Sequence, residues 1–176
     1  MRDKTKAVLL EELSALAERI KANHKSAGQV ASGKTLRSIH VEATQKNGTL
    51  YGRAYFGVLE TGRRAGRVPL GFTAIILQWM KDKGVKGKPM PYKRKPSALW
   101  KPKFNSAQER GDYTLASAIA HRIARSGTKL YRNGGRSDIF SNEIPTTVDN
   151  IMQRLSLIFE RDITSETLNY IKRSKQ

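Results

Sequence analysis

Apolar residues recur at helical spacing near the start of the chain: Leu9, Leu13, Leu16 and Ile20 fall four, three and four apart and share one face. This spacing predicts an amphipathic helix over residues 3–24. Its acids Glu11, Glu12 and Glu18 come before Lys21 and Lys25, the order that suits a helix dipole. A small, polar linker covers 26–33, and Ser32 reads as the cap of a short helix to about Ser38. The period then changes to two. Val41 and Ala43 alternate with His40, Glu42 and Thr44. Asn47-Gly48 is a hairpin signal because both residues tolerate positive φ, and 49–56 returns as the partner strand. Gly62 and Gly66 punctuate an arm that Pro69 closes. From Phe72 to Lys83, Ile75, Ile76, Trp79 and Met80 form a stripe. It predicts the principal core helix, with Gly84 as its C-cap.

Residues 85–112 lose all period. Pro89, Pro91, Pro96 and Pro102 are interleaved with Lys86, Lys88, Lys93, Arg94, Lys95, Lys101 and Lys103, which predicts an extended basic loop inserted in the domain. Helix returns at Tyr113–Arg125 and stops at Gly127. A turn at Asn133-Gly134-Gly135 and a short strand at Ser137–Ser141 follow. A last helix starts near Pro145, a favoured first-turn residue, and runs to about Lys172. It carries Val148, Ile151, Met152, Leu155, Ile158, Phe159 and Ile163. The predicted fold is α+β: one domain over 1–176, with a small antiparallel sheet (40–45 and 49–56) packed against helices near 70–83 and 146–170.

At 176 residues the chain can bury roughly 70% of its unfolded surface and build a core without staples. There is no cysteine, which excludes disulfides, thiolate zinc sites and cysteine nucleophiles. No apolar run approaches the ~20 residues of a membrane span. Val8-Leu9-Leu10 is broken at once by Glu11-Glu12, so no signal segment is expected, and the chain reads as made and kept in a reducing cytosol or a particle assembled there. Thirty-three Lys and Arg against fifteen Asp and Glu give a net charge of +18. Such a field favours nucleic acid or an acidic protein and repels copies of itself. The few aromatics do not form the base-stacking pattern of single-strand binders.

One motif invites a chemical reading. Gly28-Gln-Val-Ala-Ser-Gly33-Lys34-Thr35 matches the phosphate-loop pattern, in which backbone amides cradle phosphates, the lysine reaches the β/γ-phosphates and the threonine binds magnesium. The context argues against it: a polar segment, Lys21–Lys25, precedes it where a buried strand is required, and the helix after it is short. The reading is therefore a helix-start loop with an inert Lys34. His24, His40 and His121 are far apart, lack partners at ligand spacing, and read as surface residues for His24 and His121. No nuclease or hydrolase constellation is present, so no enzyme, cofactor or metal is expected.

The order of elements resembles a family of small tailed-phage proteins, the tail-completion and head–tail joining (neck or minor tail) proteins. The features are a Leu-x-x-Ser-Ile step at Leu36-Arg-Ser38-Ile39 after a small-residue lead, a strand pair ending at Tyr55 and leading to Glu60-Thr-Gly-Arg63, and a helix opened by Pro69 with Trp79 near its end. A helix before Gly127-Thr128 and a C-terminal helix after Phe140 complete the order, over about residues 5–165. The chain departs from the family at Lys129–Arg136 and in the basic loop. The resemblance implies a non-catalytic virion protein. It would form a hexameric or dodecameric ring at the portal, neck or tail junction, around the DNA channel, bound to portal, adaptor or tail proteins and assembled in the host bacterial cytoplasm. The residues expected to make partner contacts are Arg63, Arg64 and Arg67 on the glycine-rich arm, and Lys93, Arg94, Lys95, Trp100 and Phe104 on the basic loop. The arginines suit carboxylates, and the aromatics suit a packed interface. A basic nucleic-acid-binding module without catalysis is the alternative.

Overall fold

The computed structural model describes residues 2–93, 97 and 101–174. In chain order its elements are α1 (Arg2–Ser26), α2 (Lys34–Ser38), β1 (His40–Ala43), β2 (Gly48–Tyr51), α3 (Val58–Thr61), α4 (Phe72–Lys83), α5 (Ala107–Ser126), α6 (Lys129–Arg132) and α7 (Glu143–Arg173). The fold is α+β, with a two-stranded antiparallel sheet and a long C-terminal helix. Where the sequence reads as one domain, the chain gathers into two compact units. The first joins Met1–Glu60 to Arg136–Gln176, and the second is Thr61–Gly135.

In the first unit α1 and α7 run antiparallel, and charged pairs set their register. Lys4 Nζ reaches Asp162 at 3.0 Å, Arg154 bridges Glu11 at 2.7 Å and Glu12 at 2.6 Å, and Arg19 reaches Glu143 at 2.9 Å and Thr147 at 2.7 Å. The bond from Arg154 holds the Glu11 carboxyl below its ordinary range, and the bond from Lys4 does the same for Asp162. In this register the last turns of α7, from Glu166 onward, run past the start of α1. Leu16, Ala17 and Ile20 of α1 bury with Ile39 and Ile139, and Val41, Leu50, Phe56 and Phe140 pack around them. His24, expected on the surface, is buried.

The hairpin forms with His40 opposite Tyr51 and Ala43 opposite Gly48. Gly48 serves it differently from the sequence reading. Its φ is not positive; it opens β2, and a Cβ there would collide with Leu13 and Leu9 of α1. Glycine at this position lets the sheet lie close on the helix. The turn is closed one step earlier, where Thr44 N–H donates to Asn47 O at 2.7 Å and Thr44 Oγ1 accepts from the amides of Lys46 and Asn47. The return strand stops at Tyr51, short of the expected Phe56, because residues 53–56 turn instead, with Phe56 N–H donating to Arg53 O at 2.9 Å. The sheet rests on α1, and the helix at 72–83, expected beneath it, belongs to the second unit.

The unit is closed by Glu60. The sequence places it on an exposed arm; in the structure it is 4% exposed. Its Oε1 accepts from the amides of Ile139 (2.9 Å), Phe140 (2.7 Å) and Ser141 (3.0 Å), and its Oε2 accepts from the Ser141 hydroxyl. Its own carbonyl accepts from Arg136 N–H at 2.9 Å. This explains why 137–141 is not the expected strand: three successive amides turn inward to bind one anion and lead into α7. Burial pushes the Glu60 carboxyl up, but the bonds from Phe140, Ser141 and Ile139 outweigh it and hold the pKa below the ordinary 4.5.

A carboxylate with a lowered folded pKa stabilises above its unfolded pKa and loses that contribution as pH falls through the folded value. Resistance to unfolding in urea should therefore weaken progressively below about pH 4.5. Glu60→Gln should cost about 2–3 kcal/mol at neutral pH, since the three amides then share a neutral amide oxygen in place of a charged one and an NH2 replaces the oxygen that accepts from the Ser141 hydroxyl. It should also flatten the acid limb. An unchanged acid limb in that variant would remove Glu60 as its cause.

Candidate interaction surface

The second unit carries seventeen Lys and Arg against three Asp and Glu, a net +14 of the chain's +18. Its core is the α4–α5 pair. Ile76 and Met80 pack on Ala116 and Ala120, small residues that let the helix backbones approach. The cap at Gly84 forms as expected, with φ 68° and Val85 N–H donating to Met80 O at 2.8 Å.

Only half of the predicted α4 stripe is core. Met80 is 1% exposed, whereas Trp79 is 39% and Ile75 52% exposed. One neighbouring helix covers one strip of α4, and a stripe two residues wide overfills it. Trp79 instead lines an open groove of about 610 Å³ with Ala118, Ile119, Ile123 and Leu130. Arg122, Lys129 and Arg132 line it as well. All three are exposed; Arg132 Nη1 donates to Gly127 O at 2.6 Å, and Arg122 and Lys129 make no ion pair among the described residues.

The glycine-rich arm is held to the end of α5 by its backbone. Arg63 N–H donates to Thr128 Oγ1 at 2.9 Å, Thr128 N–H to Arg63 O at 2.8 Å, and Gly66 N–H to Ala124 O at 2.8 Å. Gly62, at φ 69°, sits where a Cβ would strike the Tyr131 amide. These bonds separate the three arginines. Arg63 is half-buried, with its guanidinium 5.5 Å from the Phe72 ring centroid and donating to Arg67 O at 2.6 Å, so it holds the arm in shape. Arg64 and Arg67 are exposed and pair with no carboxylate among the described residues.

The basic loop is shorter than expected and partly fastened down. Helix α5 starts at Ala107, not Tyr113, because Ser106 caps it, its Oγ accepting from Glu109 N–H at 3.0 Å. Glu109 in turn accepts from Asn105 N–H at 2.9 Å. Residues 87–92 lie along α5. Gly87 N–H donates to Asp112 at 2.6 Å, Gln108 to Gly87 O at 2.9 Å, Met90 N–H to Ala107 O at 2.8 Å, and Arg110 lies 4.4 Å from the Tyr92 ring centroid. Gly87 and Gly111 face each other so closely that a Cβ on Gly87 would enter the α5 backbone at Gly111, and a Cβ on Gly111 the backbone at Lys88.

Of the expected contact residues, Arg64, Arg67 and Lys93 are exposed cations, and Arg63 is structural. Phe104 is half-buried against Tyr113 at 5.1 Å between ring centroids, with Lys103 over both rings. Arg94, Lys95 and Trp100 lie outside the described residues. The groove itself escaped the sequence reading. The phosphate-loop pattern lies between the 25-residue α1 and the five-residue α2, a helix standing where the phosphate-loop fold has a strand. Among the described residues no group of three or more His, Cys, Asp or Glu is placed to hold a metal, and no helix is long and apolar enough to cross a membrane.

Known families, curated proteins and solved structures give no match to this chain. The surface is thus read from its own chemistry: an apolar groove lined by cations, with exposed Arg64, Arg67 and Lys93 on the same highly basic unit.

Met80→Ala should cost about 2–5 kcal/mol as a buried truncation, and Trp79→Ala only about 1–2. Equal losses in urea unfolding would return Trp79 to the core. Gly111→Ala, which raises helix propensity, should nonetheless destabilise by about 1–3 kcal/mol because residues 87–92, the strap along α5, must move off the helix. A stabilised variant would show that the strap is loose.

Proposed function

We propose that this chain is a non-catalytic structural subunit of a tailed-phage particle, forming a ring at the portal, neck or tail junction around the DNA channel. The observation that carries the reading is the separation of charge. The second unit, at net +14, presents Arg64, Arg67 and Lys93 to solvent, while the first unit holds only +4. A uniformly basic chain would resist packing against copies of itself, whereas this one confines repulsion to one unit and leaves the other near neutrality. The order of elements that resembles head–tail joining proteins supports the same reading. So does the exposed groove, since rings close through a patch on one copy fitting a different patch on the next. Arg64, Arg67 and Lys93 then meet an acidic neighbour such as a portal, adaptor or tail protein, or face the DNA.

The same +14 favours the second reading, a nucleic-acid-binding module. Salt separates the two, because binding driven by phosphate contacts falls by orders of magnitude between low and moderate salt.

Mass spectrometry of purified particles should find the chain. Arg64→Glu/Arg67→Glu/Lys93→Glu should fold normally yet fail to join particles. Absence of the wild-type chain from particles would sink the proposal. Tight binding of duplex DNA, lost steeply with salt and in that triple variant, would favour the second reading.

A further inference from the structure

Two surfaces on this chain are complementary, and neither is filled by the described residues. On α7, Ile144, Val148, Met152, Phe159, Ile163 and Tyr170 fall on one strip about 100° wide at 3.6 residues per turn. All are exposed, Met152 at 64% and Ile163 at 60%. The strip adjoins the face that packs on α1 through Thr147, Ile151 and Ile158 and is not part of it. Its bordering charges are acidic: Asp149 and Glu160 flank it and Glu166 lies within it, all three exposed and without an ion pair among the described residues. The nearby Asp162 is already engaged by Lys4. Arg154, Arg161 and Lys172 fall on other sides of the helix by the same periodicity, and Arg173, in the last turn, is the one α7 cation on the strip, against the three acids.

The Trp79 groove is the counterpart in chemistry. Its floor is apolar and its edge carries Arg122, Lys129 and Arg132, while the strip is apolar and its edge carries Asp149, Glu160 and Glu166. A volume of about 610 Å³ is within the range of sites that take a few side chains. We propose that the α7 strip of one copy seats in the Trp79 groove of a second copy, giving a head-to-tail contact between unlike patches. This deepens the ring reading above and rests on it. The occupant is a second copy because the acids that match the basic rim border this chain's own unfilled apolar strip. Pairing of two α7 strips would instead set acids against acids. Charge steers the contact and rejects the like-charged pairing, while the apolar side chains hold it.

The test is a mixing experiment in sedimentation velocity. The wild-type chain should self-associate in a concentration-dependent way that extends past dimer and weakens with salt. Met152→Glu/Ile163→Glu spoils the strip, and Arg122→Glu/Lys129→Glu reverses the rim; all four positions are exposed or half-exposed, and circular dichroism checks the fold. Each variant alone should be monomeric. Mixed, they should form a one-to-one complex and nothing larger, since one copy keeps the groove and the other the strip. Adding Glu160→Lys/Glu166→Lys to the rim variant should restore its self-association. If reversing the rim disturbs folding, Arg122→Ala/Lys129→Ala replaces it, with weakened assembly expected. A rim variant that still dimerises alone, with no gain on mixing, means strip-to-strip pairing and overturns the proposal. A wild-type chain that stays monomeric at all concentrations overturns it too, and points to a foreign acidic segment in the groove. That last outcome leaves the proposed function to the particle test.

Discussion

The first unit depends on one buried carboxylate. Glu60 gathers the amides of Ile139, Phe140 and Ser141, residues about eighty positions away in sequence, and so fixes where the chain re-enters the unit. Those amides sit just ahead of α7, so the anion sets the start of the helix that α1 packs on. Ile139, wholly buried, is delivered to the core by the same turn. An apolar side chain could fill the space but would leave three inward-pointing amides without an acceptor.

Charge then acts at two scales. Within the first unit, acids and bases are balanced closely enough to be spent on register, as the Arg154, Lys4 and Arg19 contacts between α1 and α7 show. In the second unit, acids are too few for that. Asp112 is taken up by the strap and Glu109 by the α5 cap, so most of its cations are left at the surface. The two units thus differ in what their charges do, internal alignment in one and external attraction in the other.

Much of the fold was legible from local signals. The apolar period found α1, α4, α5 and α7, Gly84 marked the end of α4, and the hairpin was correctly located. The errors were of a different kind. The Ser106-x-x-Glu109 box was a readable helix start, obscured by the proline-rich context before it. Gly48, Gly87 and Gly111 look like turn or breaker residues, but each is small because another backbone or side chain crosses it, which no local pattern reveals. Glu60 resembled an exposed acid because its partners lie far along the chain. Of the expected contact residues, Arg64, Arg67 and Lys93 are exposed, whereas Arg63 turns inward to Phe72. The groove was hidden because Trp79 looks like core until the width of the neighbouring helix is known.

The first unit is discontinuous, with Thr61–Gly135 placed between its two segments. On the ribosome this has a cost in time. When Glu60 emerges, its amide partners and the whole of α7 are still untranslated, and at roughly 5–20 residues per second they follow only after several seconds. During that interval Leu16, Ala17 and Ile20 of α1 lack the cover of Ile139 and Phe140 and have only the residues before Glu60, among them Ile39, Val41, Leu50 and Phe56, to pack against. The second unit has no such wait, because its helices and strap are contiguous in sequence. Synthesis order therefore favours completion of the basic unit first, with the near-neutral unit completed only when the last helix is released.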